Sequence, residues 1–194
     1  MNTDILLNEL QTKHKITADD YDKLIGLFEQ KRFKKNDIMF RKGEIVRHTY
    51  FVLKGCARQY YVSPEGGERT IYFSVEGNWC GELMSFLHDE PTNLNMQALE
   101  DTETISLNRT NWELAITTIP DFALYHIKNH QRIITRLKEE LGKSVNEVPE
   151  DKYLRLLHEH PALLQRLPLY HIATYLGITP ETLSRIRKRI SKSE

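Results

Sequence analysis

Cysteine is scarce in this sequence: Cys56 and Cys80 are the only two among 194 residues, and neither has a CxxC partner. That spacing argues against a disulfide framework, a zinc site and an iron–sulfur cluster. Long apolar runs are also missing, since none approaches the ~20 residues that a membrane span requires. The first residues, MNTDILLNEL, carry acids where a signal peptide has a basic start. We therefore expect a cytoplasmic protein that does not contact a membrane.

Catalytic patterns are lacking as well. The sequence contains no Ser-His-Asp order, no P-loop and no G-x-G-x-x-G, and Gly66-Gly67 is typical of a hairpin turn. His126 and His130 have the i, i+4 spacing of a metal or haem ligand pair, but packing or a polar position in a helical seam is the interpretation we favour. Another group of histidines is close in sequence but falls on different short elements: His158, His160 and His171. We expect no catalytic residue and no metal site.

The net charge is zero, but it is unevenly distributed. Residues 150–194 carry eight Lys or Arg against five Asp or Glu, and residues 183–193 carry five basic residues and no acid. A short basic stretch in an otherwise neutral chain indicates a local site for a polyanion.

Strands dominate the middle of the chain. Residues 17–30 predict a short helix, with acids near its N-terminal end. From about residue 31 to residue 108, short strands separated by glycine turns indicate an antiparallel sandwich or barrel. Four of these predicted strands are DIMF, TYFVLKG, ARQYYV and RTIYFSV, at 37–40, 49–55, 57–62 and 69–75.

A long helix is predicted for residues 119–142, starting at Pro120 and ending at Gly142. Its apolar residues recur at alternating steps of four and three, the spacing of a heptad seam. A helix with such a seam either pairs with the same helix of a second copy, which we favour, or packs on its own domain. The residues predicted to form the dimer seam are Ile127, His130, Ile134, Leu137 and Leu141.

The last 45 residues predict a small helical domain behind a hinge at 143–149. We expect a helix at 150–159, a turn at 161–167 and two further helices. In these two helices, Gly177 can make a left-handed turn, Thr179 can cap the second helix and Pro180 suits its first position. Apolar residues fill the inner positions that a helix-turn-helix requires: Ile172, Ala173, Leu176, Ile178, Leu183, Ile186 and Ile190.

The second of these helices, 180–190, is basic, and its polar residues face outward in this pattern. These two features predict binding of double-stranded DNA. Arg185 can donate two hydrogen bonds to a guanine, and Glu181 can accept one from a cytosine amino group. Lys188 suits the phosphate backbone, which positions a protein without specifying sequence. The predicted DNA-binding residues are Thr179, Glu181, Thr182, Ser184, Arg185, Lys188 and Arg189.

The sequence resembles the Crp/Fnr family of bacterial regulators over most of its length. FKKNDIMFRKGE (33–44) and YFVLKG (50–55) are similar to the family's cyclic-nucleotide-binding β-roll, and CGEL (80–83) is similar to the start of its phosphate-binding cassette. Glu181, Ser184 and Arg185 match the E-x-x-S-R pattern with which the Fnr branch reads bases. The resemblance implies a homodimeric regulator, with RNA polymerase as a further partner.

Three departures from the family pattern bear on its effector and its DNA-binding domain. Thr92-Asn93 stand where cyclic-AMP-binding members have an Arg-Ser phosphate clamp, so we expect that cyclic AMP is not the effector. The N-terminal segment has no cysteine, so the iron–sulfur sensor of the Fnr branch is not expected. We also expect no β-hairpin wing around the helix-turn-helix. A ligand pocket, if kept, would include Gly81, Glu82, Thr92 and Asn93, with Glu82 alternatively a capping carboxylate.

The expected fold is α+β, with an antiparallel, jelly-roll-like β-roll as sensor domain (1–118), a dimerisation helix (119–142), a hinge (143–149) and a helix-turn-helix domain (150–194). The expected function is regulation of transcription at an inverted-repeat DNA site, with an unknown effector. The alternative is a small-molecule-binding signalling module whose C-terminal helices contact a protein.

Overall fold

The computed structural model describes residues 3–144 and 147–191, so residues 145–146 of the predicted hinge lie outside it. Its strands are β1 (Glu29–Phe33), β2 (Ile38–Phe40), β3 (His48–Lys54), β4 (Ala57–Val62), β5 (Glu68–Ser74), β6 (Trp79–Cys80), β7 (Asn95–Ala98) and β8 (Thr102–Asn108). Its helices are α1 (Asp4–Lys13), α2 (Ala18–Ile25), α3 (Leu83–His88), α4 (Arg109–Thr118), α5 (Pro120–Ser144), α6 (Pro149–Glu159), α7 (Pro161–Arg166), α8 (Leu169–Leu176) and α9 (Pro180–Ile190).

The strands form two four-stranded sheets, ordered β1-β8-β3-β6 and β2-β7-β4-β5. Strand β3 separates two cores because its side chains alternate between faces. Phe51 packs with the helices α1, α2, α4 and α5, whereas Tyr50 and Val52 pack with Phe40 and Met96 of the other sheet. The predicted antiparallel β-roll followed by C-terminal helices is confirmed.

Several predicted boundaries are wrong. The helix predicted for 17–30 begins after its cap Thr17 but ends at Ile25, because Gln30 already pairs with Ile105 in the first sheet. Gly142 lies inside α5 rather than ending it, since α5 continues to Ser144. The predicted turn at 161–167 contains the helix α7, which begins with Pro161 at its first position.

The chain divides into two compact units. The first comprises the described residues up to Tyr60 together with Phe73–Ile134, and the second comprises Tyr61–Tyr72 together with the described residues from Thr135 onward. The outer end of the β4–β5 hairpin therefore belongs to the same unit as the helices α6 to α9. Within the described ranges, no helix is both long and apolar enough to cross a membrane.

His126 of α5 is buried in an aromatic cluster of the first unit. Its ring centroid lies 4.5 Å from that of Phe122 and 4.7 Å from that of Trp79, and its Nε2 atom has no hydrogen-bond partner among the residues that the structure describes. Burial, with a further contribution from His130, lowers the pKa of His126 from 6.5 to about 3. The imidazole is therefore neutral in the folded protein at ordinary pH.

This burial predicts that the protein loses stability in mild acid. Above pH 6.5 His126 is neutral in both states and contributes no pH dependence. Below pH 6.5 only the unfolded chain takes up the proton, so the free energy of unfolding falls toward pH 3 by up to about 1.4 kcal/mol per pH unit. Denaturant titrations between pH 7 and pH 4 should show a shallower decline for His126→Phe than for the unmodified protein. The exposed His88, changed to Gln, is the control, and an unaltered decline in His126→Phe would refute this assignment.

Candidate nucleic-acid interface

Helices α8 and α9 pack as a helix-turn-helix around a small apolar core. Ile172, Ala173 and Leu176 of α8 are buried, as are Leu183 and Ile186 of α9. Ala173 is fully buried, which fits a position where the two helices cross closely. These five positions agree with the apolar pattern of the sequence, whereas Ile178 and Ile190 are only half-buried.

The turn between the two helices follows local rules. Gly177 adopts a left-handed conformation (φ 74°), and its backbone N–H donates to the carbonyl of Ala173 at 2.9 Å. Thr179 then caps α9, because its hydroxyl accepts a hydrogen bond from the backbone N–H of Thr182 at 3.3 Å. Pro180 follows at the first helical position. Glycine supplies the positive φ, and the cap satisfies a donor that the first turn leaves unpaired.

A polar stripe runs along the exposed face of α9. Glu181, Arg185 and Lys188 are all exposed, and their spacing of four and three places them on one side of the helix. Arg185 Nη2 donates to the hydroxyl of Thr182 at 3.2 Å. Hydrogen bonds from its own backbone N–H and from Thr179, and the charge of Arg185, lower the pKa of Glu181, so this side chain is a carboxylate acceptor.

Two further residues of the predicted DNA-binding set lie beside α6. Ser184 is half-buried, in a groove that Tyr153 of α6 and Lys188 also line. Arg189 forms an ion pair with Glu150 of α6, with Nε 2.9 Å from Oε1 and a second contact through Nη2. The pair spans 39 residues, so no local sequence pattern could have indicated Glu150. Arg189 is therefore also a link between α9 and α6.

Three of the four residues predicted to form a ligand pocket make hydrogen bonds to neighbouring parts of the protein. Glu82 caps α3, its carboxylate accepting from the backbone N–H groups of Met84 (3.1 Å) and Ser85 (2.8 Å), as the capping interpretation expects. Thr92 is buried, and its N–H donates to the carbonyl of Glu44 at 2.9 Å. Asn93 is exposed, and the Gly81 carbonyl accepts a hydrogen bond from Gln59 at 2.7 Å.

Helix α5 has two distinct faces. Phe122, Tyr125, His126 and Asn129 are buried against the first unit. The predicted seam is on another face, and only His130 of its residues is half-buried, with its Nδ1 atom 2.8 Å from the carbonyl oxygen of His126. The other seam residues are exposed by more than half: Ile127 (54%), Ile134 (53%), Leu137 (58%) and Leu141 (71%). In the single chain this apolar face is therefore open.

Comparisons with known proteins agree with this organisation. Residues 30–118 match the cyclic nucleotide-binding domain family. The chain is 23% identical to the cyclic AMP receptor protein of Thermus thermophilus over 181 residues, covering 89% of this chain and 82% of that protein. It is 23% identical to the fumarate and nitrate reduction regulatory protein of Vibrio cholerae over 217 residues, covering 98% of this chain and 80% of that protein.

A solved structure shares the fold. The global regulator CLP of Xanthomonas campestris is similar with a TM-score of 0.73 at 15% identity, over 91% of this chain and 93% of that one. In this chain, the segment that matches the cyclic nucleotide-binding domain is followed by a long helix and a helix-turn-helix. This order agrees with the family resemblance that the E-x-x-S-R pattern of α9 indicates. Over most of its length the chain is therefore similar to transcription regulators of the Crp/Fnr type.

Proposed function

We propose that this regulator is a homodimer that binds an inverted-repeat site in double-stranded DNA through α9. The observation that carries the proposal is the exposed stripe of Glu181, Arg185 and Lys188 on a capped helix that directly follows a helix-turn-helix turn. In this proposal residues 1–118 sense an effector, 119–142 dimerise, 143–149 act as a hinge and 150–194 bind DNA.

Different residues of α9 have different roles in this proposal. A recognition helix reads bases from its N-terminal turns, so Glu181 and Arg185 contact base edges in the major groove. Lys188 lies one turn further along the helix and binds the phosphate backbone. Thr179 and Thr182 hold the start of α9 and the Arg185 guanidinium in place.

Dimerisation is supported by the open apolar face of α5. Four exposed aliphatic side chains at heptad spacing, around the half-buried His130, fit a parallel pairing with the same face of a second copy. Two-fold symmetry then presents two copies of α9 to half-sites about 34 Å apart, one turn of the DNA helix.

The remaining parts of the proposal follow from the family. The protein acts in the cytoplasm, contacts RNA polymerase when bound to DNA, and works by binding rather than by catalysis. The Vibrio cholerae relative is named as a regulatory protein, which supports this interpretation.

Salt dependence of DNA binding tests this proposal against the alternative, in which the C-terminal helices contact a protein. Phosphate contacts release counterions, so affinity for duplex DNA should fall steeply as salt rises, with a log–log slope of about −0.9 for each phosphate contacted. Duplex binding that is undetectable at low salt would contradict the proposal and favour a protein partner.

We also propose that cyclic AMP is not the effector. The chain has no Arg or Lys between Gly81 and Arg109, and Thr92 and Glu82 are engaged with backbone groups. A cyclic phosphate at this position would lack the charge-assisted hydrogen bonds that hold an anion. Calorimetric titration with cyclic AMP is expected to give no saturable heat, and tight stoichiometric binding would contradict this expectation.

A further inference from the structure

The start of strand β5, in the β4–β5 hairpin, contacts the first helix of the helix-turn-helix. Residues 61–72 of this hairpin and helix α8 belong to the same compact unit. The contacts come from three consecutive residues, Glu68, Arg69 and Thr70. This contact gives the hairpin a direct mechanical connection to the proposed DNA-binding helices.

A buried pair of hydroxyl groups lies at the centre of the contact. Thr70 Oγ1 and Thr174 Oγ1 are 2.8 Å apart, and the two residues are 1% and 9% exposed. Thr174 Oγ1 donates its single proton to the carbonyl of His171 at 2.9 Å, so Thr70 is the donor in the hydroxyl pair. If the hairpin and α8 separated without admitting water, the hydroxyl groups of Thr70 and Thr174 would lose their mutual hydrogen bond. The contact therefore favours one specific arrangement of the hairpin on α8.

The flanking contacts reach the start of α8 and the turn after it. The hydroxyl of Tyr170, the second residue of α8, donates to a Glu68 carboxylate oxygen at 3.4 Å. The Arg69 guanidinium lies against Gly177, where a Cβ atom would collide with it. The hairpin therefore contacts both ends of α8.

This placement conflicts with DNA binding. In a helix-turn-helix complex the first helix crosses the DNA backbone, and the N-terminal ends of helices donate to phosphates. Helix α8 begins after Pro168 without a side-chain cap, so its first N–H groups suit an anion. The Glu68 carboxylate contacts the side chain of Tyr170 in the first turn of this helix, and a carboxylate beside a helix that faces DNA repels phosphates.

We propose that the β4–β5 hairpin is an autoinhibitory latch that must leave α8 before DNA binds. This inference rests on the proposed function, and it gives the sensor domain a route to the DNA-binding helices. Strands β4 and β5 are neighbours in the second sheet of the β-roll. An effector that shifts these strands therefore moves Glu68 and Thr70 away from α8 and raises affinity for DNA.

The test compares two charge-neutralising variants of the hairpin in DNA-binding titrations. Glu68→Gln removes the carboxylate beside Tyr170, whereas Glu65→Gln makes the same change at the exposed tip. Glu68→Gln is expected to bind duplex DNA about fivefold more tightly, the equivalent of roughly 1 kcal/mol for two charges about 4 Å apart in water. Its salt slope should also steepen by up to about 0.9, because the protein would then bind one more phosphate. Equal affinities of the two variants would overturn the latch.

A second pair of measurements separates the latch from the proposed function. Thr70→Val removes one member of the pair and leaves the buried Thr174 hydroxyl without it, and amide hydrogen exchange in residues 169–176 is expected to speed up even without DNA. Unchanged exchange would overturn the latch, whatever the DNA titrations give. If the protein and all its variants fail to bind DNA, the proposed function fails with the latch. If the unmodified protein binds DNA and Glu68→Gln binds no better, only the latch fails.

Discussion

Leu137→Glu is expected to convert the proposed dimer to a monomer and to lower affinity for an inverted-repeat duplex by on the order of 100-fold or more. Leu137 is 58% exposed in the single chain, so the substitution leaves the fold of each chain intact. In the proposed dimer the same position lies in the apolar seam of α5, and the two-fold axis would bring two carboxylates close together. Burying these charges in an apolar seam is strongly unfavourable.

Sedimentation and DNA titration of the same samples measure both parts of this prediction. Leu114→Glu is the matched control, because Leu114 is 47% exposed on α4, outside the seam. The control should remain dimeric and should bind DNA as the unmodified protein does. A Leu137→Glu protein that stays dimeric would place the dimer interface on another surface.

Arg185→Ala is expected to weaken binding to the preferred site by about 1–3 kcal/mol and to abolish preference at one base pair of each half-site. Arg185 is exposed on α9, and Thr182 holds its guanidinium at 3.2 Å. Bidentate contact with a guanine is the interaction that the substitution removes, so affinity for random DNA should change much less.

Lys188→Ala provides the contrast on the same helix. Lys188 is assigned to the backbone, so its loss should weaken specific and random duplexes alike and reduce the salt slope by about one. Competition titrations with point-substituted duplexes distinguish the two outcomes. Equal losses on specific and random DNA for both variants would show that neither residue reads a base.

The helix-turn-helix could be predicted in detail because its signals are local. Gly177, Thr179 and Pro180 each fix the backbone within a few residues, and the apolar spacing of α8 and α9 defines which faces are buried. Strand β4 was also predicted with its observed bounds, Ala57–Val62, since turn residues flank it. Helix α4 was missed although it has a local signal: Asn108 caps it by accepting from the N–H of Asn111 at 2.9 Å.

Contacts between distant residues could not be predicted from one sequence. The Arg189–Glu150 pair joins positions 39 residues apart, and the Thr70–Thr174 pair joins positions 104 residues apart. Neither pair leaves a periodic pattern or a motif. The end of α2 was misplaced for a similar reason, because pairing of Gln30 with Ile105 outweighs the local helical pattern.

Selection of bound duplexes from a random DNA pool, with the purified protein and no added ligand, is the decisive test of base reading by α9. We expect enrichment of an inverted repeat whose half-sites are centred about 34 Å apart, with a guanine preference that Arg185→Ala abolishes. The latch predicts stronger enrichment of that sequence by Glu68→Gln than by the unmodified protein. A pool that stays random for both proteins would contradict the assignment of α9 as a DNA-reading helix.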